Sequence, residues 1–167
     1  MKKLLLAAIV GLTTVSSVAL AEIKVGIILG FTGPIETLTP AMRDSAKLAF
    51  AEVSASGALL GGETITPLIG DSTCVDSDAA VAAAELIVSD GAVAIMGADC
   101  SGVTGAIATN VAVPNGVTMV SPSATSPGLT SLADNGLFFR TAPSDAKGGQ
   151  VLAQVALDRG LTSVAVT

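Results

Sequence analysis

The chain has 167 residues, 8 Lys and Arg against 14 Asp and Glu for a net charge of −6, and half of its residues are apolar. Nucleic-acid binding calls for a basic surface, and this balance, with no basic cluster anywhere, argues against nucleic acid as a partner. There is no His, Trp or Tyr and the four aromatics are all Phe, which all but excludes triad hydrolases and zinc enzymes and leaves a core of Ala, Val, Ile and Leu, as in layered α/β proteins.

Residues 1–21 carry Lys2 and Lys3, an apolar run over 4–10, a Ser/Thr-containing stretch and then Ala19-Leu20-Ala21 at the cleavage positions, the pattern of a secretory signal. The alternative, a membrane anchor, is disfavoured because the uninterrupted apolar core falls short of the roughly 20 residues a spanning helix needs. Without the two signal lysines the balance is 6 basic to 14 acidic residues. The remainder is long enough for one domain, yet it stops inside an apolar run, LTSVAVT over 161–167, so the chain is expected to be the first part of something longer.

Residues 23–31, IKVGIILGF, form a β-rich run without helical spacing, closed by the turn signal Thr32-Gly33-Pro34. Thr39 is placed as an N-cap with Pro40 at the first helical position, and Met42, Ala46, Ala49, Phe50 and Val53 fall on one face of a helix ending near Gly57. The next strand, TITPLIG over 64–70, contains Pro67, which cannot donate a ladder hydrogen bond and so marks an edge. Asp76 can cap an Ala-rich helix to about Ser89 with Ala80, Ala84 and Ile87 inward, and Gly91 precedes a third strand over 92–96.

Val103, Ile107 and Val111 share a face of the third helix, Pro114-Asn115-Gly116 is a turn, and 117–120 is a fourth strand. A Ser/Thr/Pro loop over 121–130, a short strand LFFRT over 137–141, a helix from Asp145 to about Arg159 and a sixth strand over 161–166 follow. Strands alternating with helices at these distances imply right-handed crossovers and a doubly wound parallel sheet covered on both faces. Pro143 biases Ala142 away from helix, so a second unit is placed near this point.

In open sheets of this kind ligands sit beyond the carboxyl ends of the strands. The loops there are 31–38, 98–104 and 121–125, all rich in Gly or small hydroxylated residues, which suits a small polar ligand. The stretch AVAIMGADCSGVTG over 92–105 reads as a buried strand feeding a helix start, where unpaired N–H groups and the Ser101 hydroxyl suit an anion such as a carboxylate. Against this, Ser101 can be an ordinary N-cap, and Ser123 and Thr125 can be making local turns only. Gly26, Gly30 and Gly33 miss the dinucleotide spacing. Cys74 and Cys100 both follow strands, and an even count in an exported protein favours a disulfide, with two free thiols as the alternative and a metal pair poorer still without His. Asp99 and Asp71 are the only acid–base candidates and are read as loop residues; no catalytic residue, metal ligand or cofactor is assigned.

With these residues in place, the chain resembles the type I periplasmic binding proteins for branched-chain amino acids, the Leu/Ile/Val-binding family of ABC importers. The resemblance covers nearly all of the exported part: IKVGIILGFTGP matches the family's opening strand and turn, the Cys74 and Cys100 pair its lobe-one disulfide, and DCSGVT and SPSATSP its two ligand loops. It implies an extracytoplasmic, periplasmic receptor that traps an amino acid, branched-chain or otherwise apolar, between two lobes and delivers it to a permease and ATPase complex in the inner membrane. The resemblance implies no enzymatic activity. Residues 22–141 would be lobe one and 142–167 the beginning of lobe two.

Carried over by position, Ser101 would hold the ligand carboxylate through hydroxyl and amide. Thr125 would contact carboxylate and ammonium, and the Ser123 carbonyl would accept from the ammonium. Leu38 departs from the leucine-binding members, which place Tyr there, so the side-chain pocket is expected to differ. The second-lobe groups of the cleft are expected beyond Thr167. A sensor of the same fold, reading a small amide or organic acid, is the alternative function, and neighbouring permease and ATPase genes would favour transport over it.

Overall fold

The computed structural model describes residues 22–59 and 61–165; the export-signal reading falls on residues 1–21, outside them. Five strands, β1 (Glu22–Leu29), β2 (Thr64–Asp71), β3 (Ala94–Gly97), β4 (Thr118–Ser121) and β5 (Phe138–Arg140), alternate with α1 (Thr39–Ser56), α2 (Ser77–Ser89) and α3 (Ser101–Ile107). The helical run of α3 continues through a π-helical turn over Ala108–Ala112, and α4 (Asp145–Asp158) follows β5. All pairings are parallel, in the order β2-β1-β3-β4-β5. The doubly wound sheet is therefore as expected, with β2 and its Pro67 at the edge.

Alternation along β1 divides the core. Ile27 and Leu29 pack with Ala46, Met42 and Phe50 of α1 on one face, while Ile28 joins Ala84, Ile87, Ile95, Val103, Ile107, Val111 and Met119 on the other. The second layer sits very close to the sheet. A Cβ on Gly26 would lie 2.8 Å from Ile87 Cγ2 and one on Gly70 2.7 Å from Ile87 Cδ1, so the two glycines make the seat for that side chain.

Several local expectations are met and others corrected. Asp76 caps α2 by accepting from Asp78 N and Ala79 N at 3.0 Å each, and Ala80, Ala84 and Ile87 are buried. Thr39, in contrast, is the first helical residue and not the N-cap of α1; its buried hydroxyl donates to the Gly30 carbonyl at 3.0 Å, tying the helix start to the end of β1. On α1, Met42, Ala46 and Phe50 face the sheet, whereas Ala49 and Val53 are exposed. Residues 161–165 form no strand: β-character needs a neighbouring strand to pair with, and among the described residues none lies beside them. Val166 of that expected strand is outside the described residues. No helix among the described residues is long and apolar enough to cross a membrane.

Candidate functional site

A parallel sheet sends every strand's carboxyl end to one edge, and the strand order reverses between β1 and β3, the place where such sheets open a crevice. At that point the Asp99 carboxylate, 4 % exposed, accepts from Gly30 N at 2.7 Å, Ser72 Oγ at 3.2 Å and Cys100 N at 2.9 Å. One acidic side chain thus joins the ends of β1, β2 and β3. A second knot lies beside it. Asp71 accepts from Phe31 N, Thr32 N and Thr73 N and from the Thr32 hydroxyl at 2.6 Å. Burial pushes this carboxyl up, but the Thr32 hydroxyl and the three backbone N–H groups outweigh it and leave it below the ordinary carboxylate value.

The Cys74–Cys100 disulfide closes a separation of 26 residues, stapling the loop after β2 to the residue that caps α3. By loop entropy alone such a link contributes roughly 3 to 4 kcal/mol. It also sets the entry to Ser101, which is the first residue of α3, Cys100 being the N-cap.

Ser101 is accordingly no N-cap. Its Oγ accepts from Thr125 N and from Ser126 N, both at 3.1 Å, so the hydroxyl bridges the loop after β3 to the loop after β4. The Ser123 hydroxyl makes a second bridge, donating to the Asp99 carbonyl at 3.0 Å, and buried Ser121 makes a third by donating to the Ala98 carbonyl at 2.5 Å. Ser101, Ser123 and Thr125 are brought together by these contacts. Leu38 is not among them: it stands 63 % exposed at the end of the loop after β1.

What this cluster leaves open is chemically specific. A serine oxygen has two acceptor positions and one proton to give; at Ser101 both acceptor positions are taken, so toward any further partner it is a donor. The Thr125 hydroxyl and the Ser123 carbonyl have no hydrogen-bond partner among the described residues. Ser101 and Thr125 therefore each keep a hydroxyl proton, and Ser123 a carbonyl, unspent where the loop after β3 meets the loop after β4. No group of three or more His, Cys, Asp or Glu side chains that could hold a metal gathers among the described residues. An apolar groove between α4 and residues 161–164 shares no residue with this cluster.

Three contributors escape a linear reading: Asp99 and Ser72, 27 residues apart, and Arg140, whose Nη1 donates to the Ala124 and Ser126 carbonyls. A lone cation at the carboxyl end of a short strand was the only signal for Arg140.

The family model described as periplasmic binding protein matches residues 22–167. The chain is 31% identical over 155 residues to the Leu/Ile/Val-binding protein BraC3 of Rhizobium johnstonii, covering 93% of this chain and 41% of that protein. It is 33% identical over 143 residues to the leucine-, isoleucine-, valine-, threonine-, and alanine-binding protein of Pseudomonas aeruginosa, with coverages of 86% and 37%. It thus spans about two-fifths of the length of these relatives. Among solved structures, the branched-chain amino acid transporter substrate-binding protein LivJ of Streptococcus pneumoniae with isoleucine matches at TM-score 0.66 and 28% identity over 75% of this chain and 35% of that one. A solute-binding protein of an ABC transporter from R. palustris, in complex with 4-hydroxybenzoate, matches at TM-score 0.70 and 25% identity over 84% and 37%. A family match running from the first residue of β1 to Thr167, over a fold shared with these structures, makes the chain a member of the periplasmic binding protein family.

Proposed function

We propose that the chain is the ligand-capturing first lobe of an exported solute receptor that binds an α-amino acid, branched-chain or otherwise apolar, and delivers it to an ABC permease and ATPase complex in the inner membrane. In this reading residues 22–141 form lobe one, 142–167 begin lobe two, and the ligand lies between the lobes. The observation that carries it is the donor-only Ser101 hydroxyl, held by Thr125 N and Ser126 N beside the unpartnered Thr125 hydroxyl and Ser123 carbonyl. Two donors suit a carboxylate and one acceptor suits an ammonium, the two ends of a zwitterion. The names of the relatives support the same ligand class.

The neighbour that holds 4-hydroxybenzoate supports a second reading, an aromatic or other organic acid, which keeps the carboxylate contacts and leaves the Ser123 carbonyl unused. Calorimetry of the full-length protein with leucine, isoleucine, valine and 4-hydroxybenzoate separates the two. Ser101→Ala and Thr125→Val should each weaken leucine binding by about 10- to 100-fold, the cost of a hydrogen bond to a charged group, with folding retained. Unchanged affinity in both variants would remove these residues from the site; binding of the benzoate alone would move the proposal to the second reading.

A further inference from the structure

The segment 124–126 carries the Thr125 hydroxyl, and its backbone groups are accounted for one by one. Ala124 N donates to Ser121 Oγ at 3.0 Å, and Thr125 N and Ser126 N donate to Ser101 Oγ. The Thr125 carbonyl accepts from Asp145 N at 3.0 Å. The two remaining carbonyls, Ala124 and Ser126, both accept from Arg140 Nη1, at 3.3 and 2.8 Å, while Nη2 donates to Thr130 Oγ1 at 2.6 Å.

Two peptide planes meet at the Thr125 Cα, and each is pinned at both ends. The 124–125 plane is held by Arg140 at its carbonyl and Ser101 at its N–H; the 125–126 plane is held by Asp145 N–H at its carbonyl and again Ser101 at its N–H. Fixing both planes fixes the direction in which Cβ leaves the chain, and with it the few staggered positions open to the hydroxyl of a β-branched side chain. Arg140 is suited to this because a guanidinium offers several donors in one rigid plane, which an ammonium cannot reproduce from the same position. It pairs with no carboxylate: the ion pair formed among the described residues is Arg43 with Asp44. Its register opposite Ser121 aims it along the loop that leaves β4.

We propose that Arg140 is a positioning residue of the ligand site, which sets the Thr125 hydroxyl and the Ser101 acceptor geometry by holding the carbonyls on either side of Thr125. The proposal rests on the carboxylate-binding reading for its consequence in affinity, but not for its consequence in the loop. The test compares Arg140→Ala and Arg140→Lys with the unaltered full-length protein by amide hydrogen exchange and by titration with L-leucine. In Arg140→Ala the Thr125 and Ser126 amides should exchange at least about tenfold faster and leucine should bind about tenfold or more weakly, the range for losing hydrogen bonds to a charged group. The Ile95 and Met119 amides, inside the sheet, should be unchanged, and Arg140→Lys should fall between. Amides at Thr125 and Ser126 as protected as in the unaltered protein overturn the proposal. If Arg140→Ala does not fold, Arg140→Lys decides it by the same criterion. Loosened amides in a protein that binds no leucine even unaltered would uphold the positioning role and sink the amino-acid reading instead.

Discussion

At the level of single residues the site edge depends on carboxylates that work as acceptors of backbone N–H groups. Asp99 sits where three strand ends meet and Asp71 where the loop after β1 folds over β2. Because hydrogen bonding holds Asp71 below its ordinary value despite burial, the sign of its pH dependence follows. Its contribution is fully present above the unfolded carboxyl pKa, about 3.9, and is lost as pH falls through the lower folded value. Asp71→Asn should therefore lower the urea midpoint at pH 7, at a cost of about 1 to 2 kcal/mol for a partly exposed acceptor of several bonds, and the two proteins should converge toward pH 3. A gap that persists undiminished at pH 3 would mean the carboxylate charge is not what the Phe31–Thr32 turn depends on.

At the level of elements, the closeness of β1 and β3 is set by Gly97. Its φ is +135°, a region that side chains rarely adopt, and a Cβ there would run into the Ile28 carbonyl of the paired strand. Gly97→Ala should cost about 3 kcal/mol or more, combining backbone strain with a forced shift of the strand, read as a loss of denaturant midpoint. A variant within about 0.5 kcal/mol of the parent, the scatter of ordinary surface changes, would show that β1 and β3 separate here without consequence. The same pairing brings Asp99 onto Gly30, so this glycine also governs the first of the two knots.

At the level of the whole molecule, α4 is the helix that buries no side chain among the described residues. Val151, Leu152, Val155 and Leu157 are between 40 % and 71 % exposed, and the Asp145 N–H to Thr125 carbonyl bond joins the helix to the loop after β4. In the two-lobe proposal that helix begins the second wall of the cleft. Residues 22–167 expressed alone should then bind leucine no more tightly than about millimolar, some 4 kcal/mol short of a micromolar receptor, and should aggregate readily through α4. A titration of that chain giving micromolar affinity would make lobe one a complete site, and the second lobe would have to leave the proposal.

Much of this was legible in one dimension because it depends on local chemistry. Pro67 cannot donate, so β2 lies at the edge; Asp76 precedes an Ala-rich run, so it caps α2; alternation of strand and helix leaves a parallel sheet as the compact solution. The positions of Ser101 and Thr125 beyond strand ends followed from the same order. The roles did not. Ser101 looked like a cap and became a bridge because Thr125 N and Ser126 N, 24 and 25 residues away, reach it first, and Thr39 likewise donates its hydrogen bond to the Gly30 carbonyl. Asp99 gained Gly30 and Ser72 only when β1, β2 and β3 came to lie side by side, and Arg140 its carbonyls only when β5 paired with β4. A hydroxyl or a charge bonds whichever group packing sets within about 3 Å of it, and that choice belongs to the tertiary structure, whereas backbone preference and periodicity belong to the sequence.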